Sequence, residues 1–309
     1  MKQIKLYILI LATMFAVTSC LDKFPEDAVS VDNAITNVDE ADQAVMGIYS
    51  AFLSPALYSG YLTLLPDIQA DLAYAVNGYS NVYGNVWRWE ILATNSEIEA
   101  VYGALYDVIG RCNFLLDNAE KLRTKLTDDN ALDRLDQYCG EAYFARALAY
   151  SELIKLFCKA YESDEEAANE LGVVIKKDYY KTDSLSRASL KDSYAFVIAD
   201  LERAEDLLQL TDEDDSYTFY SSPYFSIYTV YALRARVALY MKDYDNAITY
   251  STLLIDAKNR FALSSASEAY TTMTDYLMLA TKTISYYEYM WRYNLSTESI
   301  WQVGFTETS

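Results

Sequence analysis

The chain has 309 residues, of which 25 are Lys or Arg and 45 are Asp or Glu, giving a formal net charge of −20 with no histidine. A surface that acidic repels phosphate backbones and anionic lipid headgroups, which argues against nucleic acid as a partner. The missing histidine removes the commonest general base and transition-metal ligand, so serine–histidine and cysteine–histidine nucleophile systems are excluded in their usual form.

The first residues read as a targeting segment. Lys2 and Lys5 give a basic start, Leu6 to Val17 an apolar run too short to span a bilayer, and Val17-Thr18-Ser19-Cys20 ends it. A Cys directly after small residues at the cleavage point has the pattern of a lipobox, with 1–19 the signal peptide and Cys20 the lipid-modified first residue of the mature chain. The alternative is an ordinary signal-peptidase cut with Cys20 incidental. Residues 20–36 then form a polar, Pro-containing tether, and 37–309 the folded domain.

Asn37 to Leu53 is predicted as a helix with Ala41, Ala44, Val45, Ile48, Tyr49 and Phe52 on its apolar stripe and Asp39 and Glu40 at its N-terminal end. From Ser54 to Asn95 the periodicity dissolves among Pro55, Gly60, Pro66, Gly78 and Gly84. Helical pattern returns over Ser96–Lys125 through Tyr102, Tyr106, Ile109, Cys112 or Asn113, and Leu116. The next helix, from about Asp129 to Cys158, is the least ambiguous, with Ala142, Ala145, Ala149, Leu153 and Phe157 at three- and four-residue steps. Its small residues admit close approach of a neighbour. An acidic connection at 162–170 leads to a helix over Ser186–Leu210, closed by a second acidic run at 211–215. Neither run has the spacing of a calcium loop, and both read as solvated connections.

Val230–Met241, a turn at Lys242-Asp243-Tyr244, and Asp245–Ala257 form a helix–turn–helix. Its Ala235, Leu239, Tyr244, Ala247, Ile248 and Leu254 sit near tetratricopeptide positions, with Ala235 and Ala247 expected to face each other at the crossing. The aromatic tract Tyr286–Tyr293, with Trp291, is expected to pack as a helix. The fold class is therefore all-α: tetratricopeptide-like stacked helical pairs with a long irregular insertion near the N-terminus. Cys112, Cys139 and Cys158 match no metal spacing and read as buried free thiols.

Several segments resemble the SusD/RagB family of Bacteroidetes outer-membrane nutrient-uptake lipoproteins. Glu141, Ala142, Phe144, Arg146, Ala147, Tyr150, Leu153 and Phe157 fall on its pattern E-A-x-F-x-R-A-x-x-Y-x-x-L-x-x-x-F. Glu40, Ala41, Ala44, Gly47 and Tyr49 match an earlier helix, and Tyr194, Ile198, Asp200, Leu201 and Ala204 a later one. Glu298, Ile300, Trp301 and Phe305 resemble the strand-like segment after the repeats. Family members are longer, so the resemblance covers nearly all of this chain but only the N-terminal portion of the pattern. It implies non-catalytic capture of a nutrient, an oligosaccharide in first place, at the outer surface of the outer membrane. It also implies delivery to a TonB-dependent outer-membrane transporter, with the membrane reached through the lipid on Cys20. No catalytic residue, cofactor or metal is expected. The competing reading is a helical-repeat protein-interaction scaffold without its own glycan site.

Trp87 and Trp89, with Tyr79 and Tyr83, are the candidates for sugar contact, and Asn81, Asn85 and Arg88 lie beside them. Flat aromatic rings stack on apolar sugar faces, and Asn and Arg satisfy hydroxyls. If the stretch is extended, Trp87 and Trp89 point to one side. The alternative is that one or both rings plug the loop onto the scaffold.

Overall fold

A computed structural model describes residues 34–74, 76, 83–181, 186–208, 223–257, 269–275, 280–293 and 298–303. The expected signal segment 1–19, Cys20, most of the expected tether, Tyr79, Asn81 and the acidic run 211–215 lie outside the described residues.

Helix α1, Val38–Phe52, starts where expected because the Asn37 side chain accepts a hydrogen bond from the Glu40 amide, while Glu40 accepts in return from the Thr36 amide and hydroxyl. The irregular stretch is not wholly loop. It holds α2, Tyr61–Gln69, and a single turn, α3, Gly84–Trp87. Then follow α4, Ser96–Arg123, and α5, Asp129–Phe157, the latter capped by Asp128 accepting from the Ala131 amide. The acidic connection folds into α6, Asp164–Asn169, whose first turn carries Asp164, Glu165 and Glu166 on the favourable end of the helix dipole. A two-stranded antiparallel ribbon follows, β1 Leu171–Val174 with β2 Arg187–Ser189, Leu171 lying opposite Ser189.

Helix α7, Leu190–Leu207, begins four residues later than the sequence predicts. Ser189 caps it from an extended backbone, and the three residues before the helix belong to the ribbon. Helices α8, Ile227–Tyr240, and α9, Tyr244–Asp256, form the antiparallel pair. Strands β3, Ala269–Asp275, and β4, Ala280–Ser285, pair antiparallel before α10, Tyr286–Tyr293. Successive long helices pack side by side, so the all-α reading holds, with short ribbons added.

Helix α5 is the axis. From Cys139 to Tyr150 every residue but Tyr143 is buried, as expected of a helix surrounded on all sides rather than lying on a surface. α4, α7 and α1 all pack against it, α7 most extensively. Gly140 is required at the α7 contact: a Cβ there would stand 2.8 Å from Leu208 Cγ and 3.0 Å from Leu207 Cβ. At its C-terminal end the helix stops at Cys158, whose extended backbone replaces the turn, and Arg187 Nη2 donates to the Phe157 carbonyl at 3.2 Å.

Polar groups inside this core are paired. Arg146 on α5 grips Asp200 on α7 through two hydrogen bonds, Nε to Oδ2 at 2.8 Å and Nη2 to Oδ1 at 2.7 Å, and donates through Nη1 to Asn113 Oδ1 on α4 at 2.7 Å. Asn113 in turn donates to the Lys176 carbonyl, which also accepts from the Tyr150 hydroxyl. Glu141 accepts from the Tyr49 hydroxyl at 2.6 Å, and that hydroxyl accepts from the Phe225 amide at 2.7 Å, tying α1, α5 and the entry to α8 together.

Three sequence expectations change. Cys112 and Cys139 are buried, but Cys158 is only partly so because it ends α5 beside Arg187. Ala235 and Ala247 do share one surface, yet it is an open apolar groove of about 530 Å3, shared with Leu239, Tyr244, Ile248 and Ile255, and α9 buries no residue fully. Trp291 and Tyr287 form an edge-on pair 6.2 Å apart that stands out to solvent instead of packing.

Burial pushes the Glu141 carboxyl up to about 7, with the hydrogen bonds from Tyr49 and Gln137 pulling the other way. The folded chain therefore holds this proton more tightly than the unfolded one, whose Glu titrates near 4.5. Its contribution to stability is full below the unfolded value and is lost as pH rises through the folded one. Glu141→Gln is expected to shrink the rise in thermal midpoint seen between about pH 8 and about pH 5. A variant that kept the whole pH dependence would place the titration elsewhere.

Candidate functional site

The candidate site is a sharp turn carried on α3, which packs against α2. Val86, 1% exposed, plugs the turn into the core, and Gly84 is buried beside it. The amides of Trp87, Arg88, Trp89 and Glu90 are taken up by the carbonyls of Tyr83, Gly84, Val86 and Asn85, so the backbone here is coiled, not extended. The two tryptophans consequently part company. Trp87 closes the helical turn, packs half-buried against the core, and donates its indole N–H to Asp71 Oδ1 at 3.2 Å. Trp89 follows the C-cap with φ 58°, a left-handed conformation, and its side chain is 65% exposed.

That conformation is unusual for a bulky residue. Among the described residues the non-glycine positions with positive φ are Asp71, Tyr83, Trp89 and Lys242, at 58°, 60°, 58° and 61°. Three of the four lie in this one stretch, and Asp71 is the acceptor that fixes Trp87. Strained backbone of this kind persists where the surroundings over-determine it and clusters at ligand-contacting segments.

Around the exposed ring the polar side chains are ordered by one another. Arg88 donates from Nη2 to Asn85 Oδ1 at 2.8 Å and from Nε to Glu90 Oε2 at 3.0 Å, and all three are exposed. Tyr83 is drawn inward, its ring 6.1 Å from Tyr61 in an edge-on contact. The arrangement offers a flat apolar face next to a donor and two acceptors, the chemistry that meets a sugar ring with its hydroxyls. Of the predicted set, Trp89, Arg88 and Asn85 are exposed, with Arg88 bonded to Asn85, while Trp87 and Tyr83 serve the anchoring side.

Sequence reasoning missed Asp71, and it missed Leu72 and Tyr74, which are 77% and 74% exposed in the same stretch. Tyr74 was visible as an aromatic among small residues, but Asp71 has no sequence signal because its role depends on a contact sixteen positions away. Beneath the turn a small enclosed cavity of about 110 Å3, bounded by Tyr61, Leu65, Ile98, Val101 and Phe157, is too small for a saccharide. Among the described residues no three Cys, Asp or Glu side chains are grouped to hold a metal ion, and no helix is long and apolar enough to cross a membrane.

Residues 26–239 match a family called SusD-like, described as starch-binding and associating with the outer membrane. Two SusD-like proteins of Formosa agariphila are similar to this chain. One is 24% identical over 264 residues, covering 85% of this chain and 48% of that protein. The other is 26% identical over 275 residues, covering 85% and 47%. The chain thus spans about half the length of these relatives. Among solved structures, a SusD superfamily protein from Bacteroides thetaiotaomicron superposes with a TM-score of 0.67 at 23% identity, over 88% of this chain and 54% of that one. A SusD-like carbohydrate-binding protein from Bacteroides vulgatus gives a TM-score of 0.58 at 19% identity, over 78% and 52%. At these identities the structural likeness speaks to the fold.

The division of labour between the two rings has a direct consequence for stability. Trp87→Ala removes a half-buried ring and strands Asp71, and is expected to lower the thermal midpoint by an amount corresponding to about 2–4 kcal/mol. Trp89→Ala is expected to leave it within the range of surface substitutions, about 0.5 kcal/mol. Equal losses for both, followed by circular dichroism on heating, would show that Trp89 also packs.

Proposed function

The chain belongs to the SusD-like family, and from that membership we propose that it binds an oligosaccharide without catalysis at the outer surface of the outer membrane, with Trp89 as the stacking platform. The observation that carries this reading is the exposed ring itself. A tryptophan 65% exposed, held by a left-handed backbone and flanked by ordered Arg88, Asn85 and Glu90, has little to contribute to packing. A sugar face is the partner that suits it. The absence of histidine from the whole sequence agrees with binding rather than turnover.

The fuller proposal has a lipid on Cys20 tethering the mature chain, and a TonB-dependent outer-membrane transporter receiving the ligand. The first rests on the lipobox pattern at Val17–Cys20 and the second on the family resemblance. A second reading, a helical-repeat interaction scaffold, is favoured by one observation: the open groove of α8 and α9, where Leu239, Tyr244, Ile248 and Ile255 are all more than half exposed.

Calorimetry against a panel of neutral oligosaccharides, beginning with maltooligosaccharides, separates the two. The proposal expects wild type to bind at least one panel member and Trp89→Ala to lose about 2 kcal/mol or more of that affinity, roughly thirtyfold. Equal affinity in wild type and Trp89→Ala removes Trp89 from the site. No binding across the panel favours the scaffold.

A further inference from the structure

A second cleft lies between α5, which lines it with Phe144 and Leu148, and α8, which lines it with Thr229, Ala232, Leu233 and Arg236. Its volume is about 440 Å3, within the range of roughly 300–1,000 Å3 that ligand pockets occupy. Leu148 and Leu233 form its floor, and Tyr58 and Trp301 close one side with their rings 5.6 Å apart and nearly perpendicular. Trp301 is fixed in place: its indole N–H donates to the Pro223 carbonyl at 3.0 Å, and its ring lies 5.0 Å from Phe225 and 6.0 Å from Phe52. Trp301 also lines the cleft.

The polar side of the cleft is built with equal care. Glu152 is a carboxylate with a side chain only 3% exposed, a costly burial unless it is paired. Arg236 Nη2 reaches its Oε1 at 3.3 Å, and Lys155 pairs with Oε2 by charge rather than through an aligned hydrogen bond. Arg236 is thereby held at the wall of the cleft with its side chain 43% exposed, and one salt bridge leaves a guanidinium further N–H donors to offer. Glu298 borders the same cleft. Burial keeps the Tyr58 phenol protonated, with the nearby Glu152 carboxylate adding to the effect, so it too remains a neutral hydroxyl.

These charges cancel. The charged side chains that line the cleft are one cation, Arg236, and one carboxylate, Glu298, and behind Arg236 the buried Glu152 is already paired with Arg236 and Lys155, inside a chain that carries −20 overall. An anion would meet the field of the whole protein, and a cation would find no surplus carboxylate. What fits is an uncharged ring with an apolar face for Trp301 and Leu233 and hydroxyls for Arg236 and Glu298. We propose that the cleft between α5 and α8, walled by Tyr58, Trp301 and Arg236, is a second binding site for a neutral saccharide ring, separate from Trp89. It draws the class of ligand from the reading above, but its existence does not depend on the Trp89 turn.

The full chain labelled with 5-fluorotryptophan tests this by fluorine NMR, because Trp89 and Trp301 give separate resonances, assigned with single Trp→Phe variants. Maltoheptaose, xylohexaose and mannohexaose are the probes. At least one is expected to shift the Trp301 resonance saturably. Ala232→Trp, which fills the cleft, is expected to raise the concentration needed at least tenfold, and Trp89→Ala to leave it unchanged. Arg236→Lys keeps the charge opposite Glu152 but loses the fork, and is expected to weaken the same shift several-fold, so it carries the test if Ala232→Trp does not fold. A Trp301 resonance that no probe moves overturns the second site, whatever Trp89 does. So does a Trp301 shift that is unchanged in a folded Ala232→Trp and in Arg236→Lys. Movement at Trp89 alone would leave the first reading standing and remove this one.

Discussion

The ion pair between Arg146 and Asp200 is the contact on which the rest of the structure depends. Both side chains are almost wholly buried, at 8% and 5% exposure, and a charge placed there without its partner would be strongly destabilising. The planar guanidinium satisfies three acceptor atoms on two neighbouring helices, and that fixes the rotation of α4 and α7 about α5. Once those three helices are set, the Tyr49–Glu141 hydrogen bond seats α1, and Tyr49 in turn holds the backbone that leads into α8. The scaffold that presents the Trp89 turn is therefore organised from one buried cation outwards.

This explains what the family-like positions are for. Glu141, Arg146 and Tyr150 on α5, Asp200 on α7 and Tyr49 on α1 are scattered through the sequence, and the structure gathers them, with Asn113 on α4, into buried polar contacts. They hold helices together and do not face solvent. The residues proposed to meet a sugar at Trp89 lie instead in a stretch of weak periodicity between α1 and α4.

How much of this was legible follows from the range of each interaction. The long helices α1, α4 and α5 were readable to within a few residues because their caps and apolar spacing are local. Helix α2 was hidden by Pro66 and Gly60, which read as breakers, although Gly60 stands just before the helix and Pro66 is tolerated in a piece only nine residues long. The ribbon β1–β2 was missed because strands of four and three residues carry too little alternation to register. Within the candidate site, the assumption of an extended backbone did not survive the coil at Gly84–Trp87. The partition between an anchoring Trp87 and a displayed Trp89 rests on Asp71 and Val86, contacts that no spacing rule encodes. Arg146 was visible as part of a pattern, yet its partners sit 33 and 54 positions away, beyond any local signal.

The central claim is that Arg146 and Asp200 act as a unit. A double-mutant cycle of Arg146→Met and Asp200→Leu, read by urea unfolding, tests it most directly. Each single change should leave one buried charge unpaired and cost about 3–5 kcal/mol, while the double variant should recover much of that loss, a coupling of about 2 kcal/mol or more. Single effects that simply add would contradict the account and place the organising contact of the fold elsewhere.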